Sequence, residues 1–346
     1  MDSQSADMVM ALQSLKDVGT QKEQEIASQI SQMLQTNSFD KTKKALHDLA
    51  PTNSSVVMQL ATSLNTLLTN VATSRVDSIG RSGGDVFKNS SLWIKALYNH
   101  AKESSSSSEG FSSNTKALIF GLDTQPSEKT TIGIGYAYTN TKVDAGAREI
   151  EADGNTFFLY GKYQPNRWSV DWMASYGKTD YTEDKYPLNM LLRSSYTVDT
   201  YMVSLMTGYD FENGWTPQAG LRYLIVDQEN YQDGIQKVKT GKDDILTAVV
   251  GAKYQKDFVY DNFVINSMIK AHATYDVIES DASSVVSFGN GASYVVQNEG
   301  LDRVGFEGGI KLGLVYSNME VSLDYDARFK KDYQDHTGTL NLKYNF

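Results

Sequence analysis

The chain has no cysteine in 346 residues. Disulfide staples, thiolate metal sites and thiol nucleophiles are excluded together, and the absence suits a protein that crosses an oxidising periplasm without needing disulfides. Proline is scarce, at 5 residues, so little interrupts extended strands, whose ladders proline breaks. There are 4 histidines, His47, His100, His272 and His336, all far apart. No stretch approaches the ~18–20 consecutive apolar residues of a membrane helix, and mean hydropathy is -0.41. A helical membrane protein is therefore excluded. A membrane barrel is not, because its strands alternate lipid-facing and lumen-facing residues and average out as soluble. Basic charge is also short. Lys+Arg 32 against Asp+Glu 42 gives a net charge of -10 and a pI ≈ 5.0, which argues against nucleic acid as a partner and fits acidic solvated loops.

Aromatics are plentiful, with Tyr 21, Phe 13 and Trp 4, and they are unevenly placed. Ahead of Gly80-Arg81-Ser82-Gly83-Gly84 the one aromatic is Phe39 and helical spacing prevails; after it aromatics are dense and alternation takes over. Residues 1–84 read as helical or loosely ordered, and 85–346 as all-β. The terminus His336–Phe346 shows the pattern most cleanly. Leu340, Leu342, Tyr344 and Phe346 fall on one side of an extended strand, and Thr339, Asn341, Lys343 and Asn345 on the other. An amphipathic terminal strand closing on an aromatic is how bacterial outer-membrane barrels end. Leu342, Tyr344 and Phe346 are accordingly read as the assembly signal.

About twelve strands can be walked off: 91–101, 114–125, 129–143, 154–164, 167–181, 193–211, 215–230, 244–258, 263–278, 301–316, 319–329 and 336–346. Short turns rich in Pro, Asn, Asp and Gly join one set of ends. The other connections, 102–113, 144–153, 182–192, 231–243 and 279–300, are long and polar and are expected to be loops. Short turns on one rim and long loops on the other describe an outer-membrane barrel. A soluble sandwich would have strands nearer six residues.

Parity assigns the faces. Ile132, Ile134, Tyr136 and Tyr138, and likewise Val321, Leu323 and Tyr325, belong in lipid. The opposite parity is rich in Gly, Ala and Ser and carries Glu307, Lys311, Glu320, Asp324, Arg328 and Lys343 into the lumen, with Asp326 and Arg222 as further partners. Such a lining could hold water or a polar plug. Strands 91–101 and 154–164 stay ambiguous, because Trp93 and Phe158 lie on the less apolar parity.

Residues 55–80 supply a candidate plug. Val57, Leu60, Ala61, Leu64, Leu67, Leu68, Val71 and Ile79 recur at three and four, giving one apolar stripe. Pro51-Thr52-Asn53-Ser54 offers capping chemistry ahead of it and Gly80 ends it. The other face, including Asn65, Thr66, Thr69, Asn70 and Thr73, is uncharged until Arg75 and Asp77. A surface helix usually displays Lys and Glu, whereas Ser, Thr and Asn suit hydrogen bonds to a polar wall. At 1.5 Å per residue about 26 residues span roughly 39 Å, enough to thread a membrane-thick barrel. The plainer alternative is a helix of a soluble partner-binding domain. The expected division is 1–51 as a helical remnant of passenger or linker, 52–84 as the threading helix with a Gly-rich link, and 85–346 as the barrel.

The polar-faced helix, the Gly-rich link, the amphipathic strands and the ending Leu342-Lys343-Tyr344-Asn345-Phe346 together resemble the translocator domain of monomeric autotransporters (type V secretion). The resemblance covers 45–346. Ala45-Leu46-His47-Asp48-Leu49-Ala50-Pro51 is similar to the linker before the pore helix, and Ser91-Leu92-Trp93-Ile94-Lys95 to the first strand. It implies an all-β membrane protein: an antiparallel outer-membrane β-barrel of about twelve strands with an N-terminal α-helix threading the lumen. It also implies an N-terminal passenger at the cell surface, a monomer in outer-membrane lipid, and the barrel-assembly machinery and periplasmic chaperones as partners. No basic n-region with an apolar core opens the chain, so a fragment or processed form is expected. Some relatives cleave their helix at an Asn-Asn pair; Asn65 and Asn70 form none. A stand-alone channel or porin with a periplasmic domain is the competing reading, and a loop-based outer-membrane hydrolase a third. For the last, His336 with Asp335 and Asp332 is the single acid–base candidate, and loop solvation explains it. No Gly-x-Ser-x-Gly elbow, phosphate loop or metal-ligand spacing appears, so no catalytic residue, metal or cofactor is assigned.

Overall fold

The computed structural model describes residues 3–51, 54–78, 90–104, 110–280, 283–289, 291–297 and 302–346. The Gly80–Gly84 link, the expected end of the helix at Gly80 and Thr52-Asn53 of the expected cap lie outside the described residues. Four helices come first: α1 Ser3–Gln13, α2 Gln21–Gln35, α3 Phe39–Leu49 and α4 Ser54–Ser78. The strands are β1 Ser90–Glu103, β2 Ser112–Ser127, β3 Thr130–Ala145, β4 Arg148–Tyr163, β5 Trp168–Lys185, β6 Leu192–Tyr209, β7 Trp215–Gln228, β8 Tyr231–Gln232, β9 Gln236–Lys239, β10 Lys242–Val259, β11 Val264–Glu279, β12 Ser283–Phe288, β13 Ser293–Gln297, β14 Val304–Tyr316, β15 Met319–Lys330 and β16 Tyr333–Asn345. Twelve of them close a barrel in the order β1-β16-β15-β14-β11-β10-β7-β6-β5-β4-β3-β2. The seam pairs β1 with β16 antiparallel, from Ser91 opposite Asn345 to Glu103 opposite Tyr333. The Phe346 N–H closes it by donating to the Ser90 carbonyl at 3.0 Å. A sheet edge left open cannot persist in lipid, so both ends of the barrel sequence are committed to this seam.

The alternation holds as expected on most strands. Ile134, Leu205, Leu312, Leu323 and Leu342 are exposed on the outside, while Ser175, Ser204, Lys311, Ser322 and Asn341 are buried inside. Two expected loops are shorter than expected. Residues 144–153 are strand on either side of a two-residue turn, and 182–192 keep an irregular stretch and a 3-10 turn only over 186–191, because β3–β4 and β5–β6 continue past the apolar band. Their inward residues, Val143, Ala145, Ile150 and Ala152, still alternate and are buried. Their outward residues are charged and pair across strands, as Lys142 with Glu151 at 2.7 Å and Arg193 with Asp184 at 2.5 Å. The outer face meets water there, and that polarity is what resembled a loop.

The expected loops 231–243 and 279–300 likewise carry β8, β9, β12 and β13, which form a second sheet in the order β13-β12-β9-β8. Helix α1 packs on β13, and α3 on a short 3-10 turn, Pro187–Asn189. Met8, Leu12, Leu15, Ile26, Ile30, Leu46 and Leu49 are buried with Val286, Phe288 and Tyr294 of the sheet. Arg148 and Lys185, at the end of the barrel wall, donate to the carbonyls of His47 and Leu49, each at 2.9 Å. Both cations thus meet the negative end of α3. The segment 1–51, expected as a helical remnant of passenger or linker, is helical over α1–α3 and packs as a cap on the long-loop rim.

Candidate functional site

Helix α4 runs down the lumen, and its direction follows from its contacts. Near its start, Ser63 donates to Asp335 at 3.2 Å, close to the β15–β16 turn. Near its end, Arg75 donates from Nη2 to Ser91 at 3.0 Å, at the beginning of β1. The N-terminal end of α4 is therefore at the long-loop rim and its C-terminal end at the short-turn rim.

The polar face expected on this helix meets the wall in levels. Asn65 accepts from Ser175 at 3.2 Å, and Thr66 accepts from Arg222 at 3.1 Å. Arg222 in turn grips Glu307 through two bonds of 2.9 and 2.6 Å. Thr69 donates to its own helix at the Asn65 carbonyl, 2.9 Å away, and approaches the Met202 sulfur. Asn70 accepts from Lys270 at 2.9 Å, a lysine also paired with Asp326 at 2.7 Å. Ser74 donates to Asp324 at 3.2 Å and accepts from Lys311 at 3.3 Å. Thr73 is half-buried.

The last turn carries the helix's charges. Arg75 donates from Nε and Nη2 to one oxygen of Asp123 at 3.0 and 2.7 Å. Its guanidinium lies 5.6 Å from the Trp93 ring centroid, a cation–π distance. Tyr160 donates to the same Asp123 oxygen at 2.7 Å and accepts from the Trp93 indole N–H at 2.8 Å. Asp77 is held between Lys162, at 3.0 Å, and Lys253. Buried charges cost several kcal/mol each unless paired and hydrogen-bonded, and here the pairing is complete only when helix and barrel are together.

The other lumen residues pair along the wall. Lys311 and Lys343 share Glu320 at 3.3 and 3.6 Å, and Lys95 meets Asp324 at 3.6 Å. Arg328 binds Asp335 and the Tyr333 hydroxyl, both at 2.9 Å, rather than any of the acids expected for it. The two ambiguous strands resolve inward: Trp93 and Phe158 are buried in the lumen with Tyr160. Their rings fit because glycines lie opposite. Trp93 faces Gly121, Phe158 faces Gly135 and Tyr160 faces Gly133 across the ladders. A Cβ on Gly135 would sit 2.2 Å from the Phe158 ring. The lumen is thus a packed interior rather than a wet one.

Asp123, Tyr160, Lys162, Lys253 and Lys270 were not anticipated. Their signal was the isolated pair Arg75 and Asp77 on an otherwise uncharged helix, which demands buried counter-charges. The suspected acid–base group separates: His336 faces outward, bonded to Tyr325 at 2.7 Å, while Asp335 faces inward to Arg328. Leu342, Tyr344 and Phe346 are exposed on the outer face of the seam.

A closed twelve-stranded antiparallel barrel with an apolar exterior is the architecture of an outer-membrane barrel, here with a helix through its lumen. Residues 92–326 match the family described as the autotransporter beta-domain, and the chain belongs to that family. It is similar to Outer membrane protein B of Rickettsia prowazekii, 24% identical over 294 residues, covering 77% of this chain and 18% of that protein. Outer membrane protein B of Rickettsia typhi is 24% identical over 283 residues, 74% of this chain and 17% of that protein. The chain thus spans less than a fifth of the length of these curated relatives. Among solved structures, the translocator domain of autotransporter NalP from Neisseria meningitidis superposes with a TM-score of 0.67 at 12% identity, covering 83% of this chain and 98% of that one. The beta domain of the Bordetella autotransporter BrkA gives 0.54 at 12% identity over 75% of this chain and 100% of that one. The transport unit of AIDA-I from Escherichia coli gives 0.53 at 16% identity over 80% and 97%. This chain is an outer-membrane translocator domain.

Proposed function

We propose that the barrel anchors, and supports the export of, a passenger attached ahead of α4, with that passenger outside the cell. The observation that carries this is the direction of α4. An even number of strands returns the chain to its starting rim, and in such barrels the short turns face the periplasm and the long connections the exterior. Chain entering from the periplasmic rim and climbing the lumen delivers everything before Ser54 to the surface side. The partners follow from the same reading: outer-membrane lipid around a monomeric barrel, the barrel-assembly machinery and periplasmic chaperones before insertion, and the chain's own passenger. Leu342, Tyr344 and Phe346 serve as the assembly signal, since they combine a lipid-compatible face with the strand that must close on β1. No catalytic role and no nucleic-acid partner belong to this reading. A stand-alone porin fits less well, because gaps beside the helix are small and separate, about 30, 10 and 20 Å³ at three levels, each room for one or two waters.

Single cysteines test the orientation in a chain that has none. Lys43→Cys on the exposed side of α3 and Ser127→Cys at the β2–β3 turn are each treated on intact cells with a membrane-impermeant thiol reagent. Position 43 labels and position 127 does not. Labelling at 127 and not at 43 would invert the topology and end the export reading.

A further inference from the structure

The lumen wall has two unlike halves. From β7 through β10, β11, β14, β15 and β16 the inward face is charged at successive depths, and those charges engage the helix at Thr66, Asn70, Ser74 and Asp77. From β2 to β6 the inward charges sit near the rims alone: Asp123, Lys162 and Asp171 at one end, and Arg148, Glu183 and Lys185 at the other. Between them this arc is uncharged: Phe158, Tyr160, Met173 and Met202 fill the half toward the short-turn rim, and threonines line the half toward the long-loop rim. Thr115, Thr139, Thr141, Thr179 and Thr200 line a gap there, and what α4 presents to it is chiefly Leu60, Leu64 and Leu67, with Ala61 and Ser63. Four of these hydroxyls are satisfied within the wall rather than by the helix: Thr115 bonds Thr141 at 2.8 Å, and Thr139 and Thr200 donate to the carbonyls of Gly154 and Gly177.

That match is poor for a wall built only to hold leucines. Valine, nearly the same size without the hydroxyl, would pack the stripe better. It is a good match for something else. A surface that must pass segments of any sequence cannot carry charges, because an unpaired or mispaired buried charge either traps or rejects what moves past it. A hydroxyl rotates to donate or accept, so a row of them can serve the N–H and C=O groups of an extended chain in turn, groups that are costly to leave unpaired away from water. At the level of these threonines small side chains leave the width.

Resting on the export reading above, we propose that the hydroxyl arc of β2–β6 is the sliding surface for the exported polypeptide, while the charged arc grips the segment that ends as α4. The test fuses a reporter of known sequence ahead of residue 1, with a disulfide-closed loop that stalls it in transit. A photo-crosslinking residue replaces Thr139 or Thr179 on one arc, or Lys311 or Asp326 on the other. The stalled reporter crosslinks from 139 and 179 and not from 311 or 326, and the crosslinks vanish once export is allowed to finish. Thr139→Lys with Thr179→Lys slows reporter display at least about tenfold. Thr139→Val with Thr179→Val, which keeps the shape, raises the temperature of heat-modifiable unfolding yet slows display. Equal crosslinking from both arcs, or lysine variants that assemble and export at the parent rate, overturns the proposal. A parent barrel that assembles and never displays the reporter fails earlier, at the export reading, and takes this inference with it.

Discussion

At the scale of single residues, the strongest constraint on the plug is that α4 carries an arginine with 1% of its side chain exposed, against an aspartate with 2%. Removing one partner of such a pair leaves the other charge desolvated, which costs about 3–5 kcal/mol, while replacing both with neutral groups of similar shape is far milder. Arg75→Met should therefore lower the temperature at which the folded, fast-migrating gel form is lost. Asp123→Asn added to it should restore much of the difference, because the orphaned charge is gone and Tyr160 still has an oxygen to donate to. If the double variant is as unstable as the sum of the single ones, the pair is not coupled and the helix is held elsewhere. The same neighbourhood shows why part of the site was illegible in sequence. Hydrophobicity counts along β1 and β4 could not place Trp93 and Phe158, since a ring is apolar whichever way it points. The information lay across the ladder, in Gly121, Gly133 and Gly135, where a missing side chain makes room for a ring; only register brings those positions together.

At the scale of elements, the strands were legible because one face meets lipid, and their ends were not because that face changes solvent along its length. On β15, Leu323 is exposed in the apolar band; on β3, the outward Lys142 already lies above it, paired with Glu151. Leu323→Arg should cost about 2–4 kcal/mol if it faces mid-bilayer lipid, while Lys142→Ile should leave the urea midpoint in lipid vesicles unchanged. Equal losses at both positions would mean that the band has been drawn wrongly. Ser322, between two lipid-facing residues, is no benign control, since it is buried against the filled lumen. The cap was the least legible element, since periodicity identified helices without saying what they cover. Its key contact is Glu23, which closes a capping box with Thr20 and accepts the Gly289 N–H at 3.0 Å. Burial pushes this carboxyl up, but the backbone donors of Thr20 and Gly289 outweigh it and hold it below the ordinary 4.5. A depressed carboxyl contributes stability that is present above the unfolded value and lost as pH falls through the folded one. Limited proteolysis between α1 and α2 should therefore accelerate as pH drops below 4.5. Glu23→Gln should be cleaved faster at neutral pH, losing about 1 kcal/mol, and should show a flatter acid response. An unchanged acid response in that variant would place the titration elsewhere.

At the scale of the whole molecule, barrel and helix complete one another's charges, yet removing the helix is a different experiment from removing one of its residues. Arg75→Met leaves Asp123 dry beneath a seated helix. Deleting residues 1–84 instead lets water reach Asp123, Lys162, Lys253 and Lys270 together, and a hydrated charge carries no desolvation penalty. The seam between β1 and β16 does not involve the deleted segment, so the truncated barrel should fold and open. In planar bilayers the full chain should be nearly silent, because helix and wall meet at every level and the gaps between them are no more than water-sized, about 30, 10 and 20 Å³. The 1–84 deletion should conduct steadily. Deleting 1–50 alone, which strips the cap and keeps α4, should stay silent, since the seal lies in the lumen and not over its mouth. Conductance that rises as much with the cap deletion as with the full one would move the barrier from α4 to the three helices and sheet above it. Conductance unchanged by either would mean that the wall itself, rather than the helix, closes the barrel.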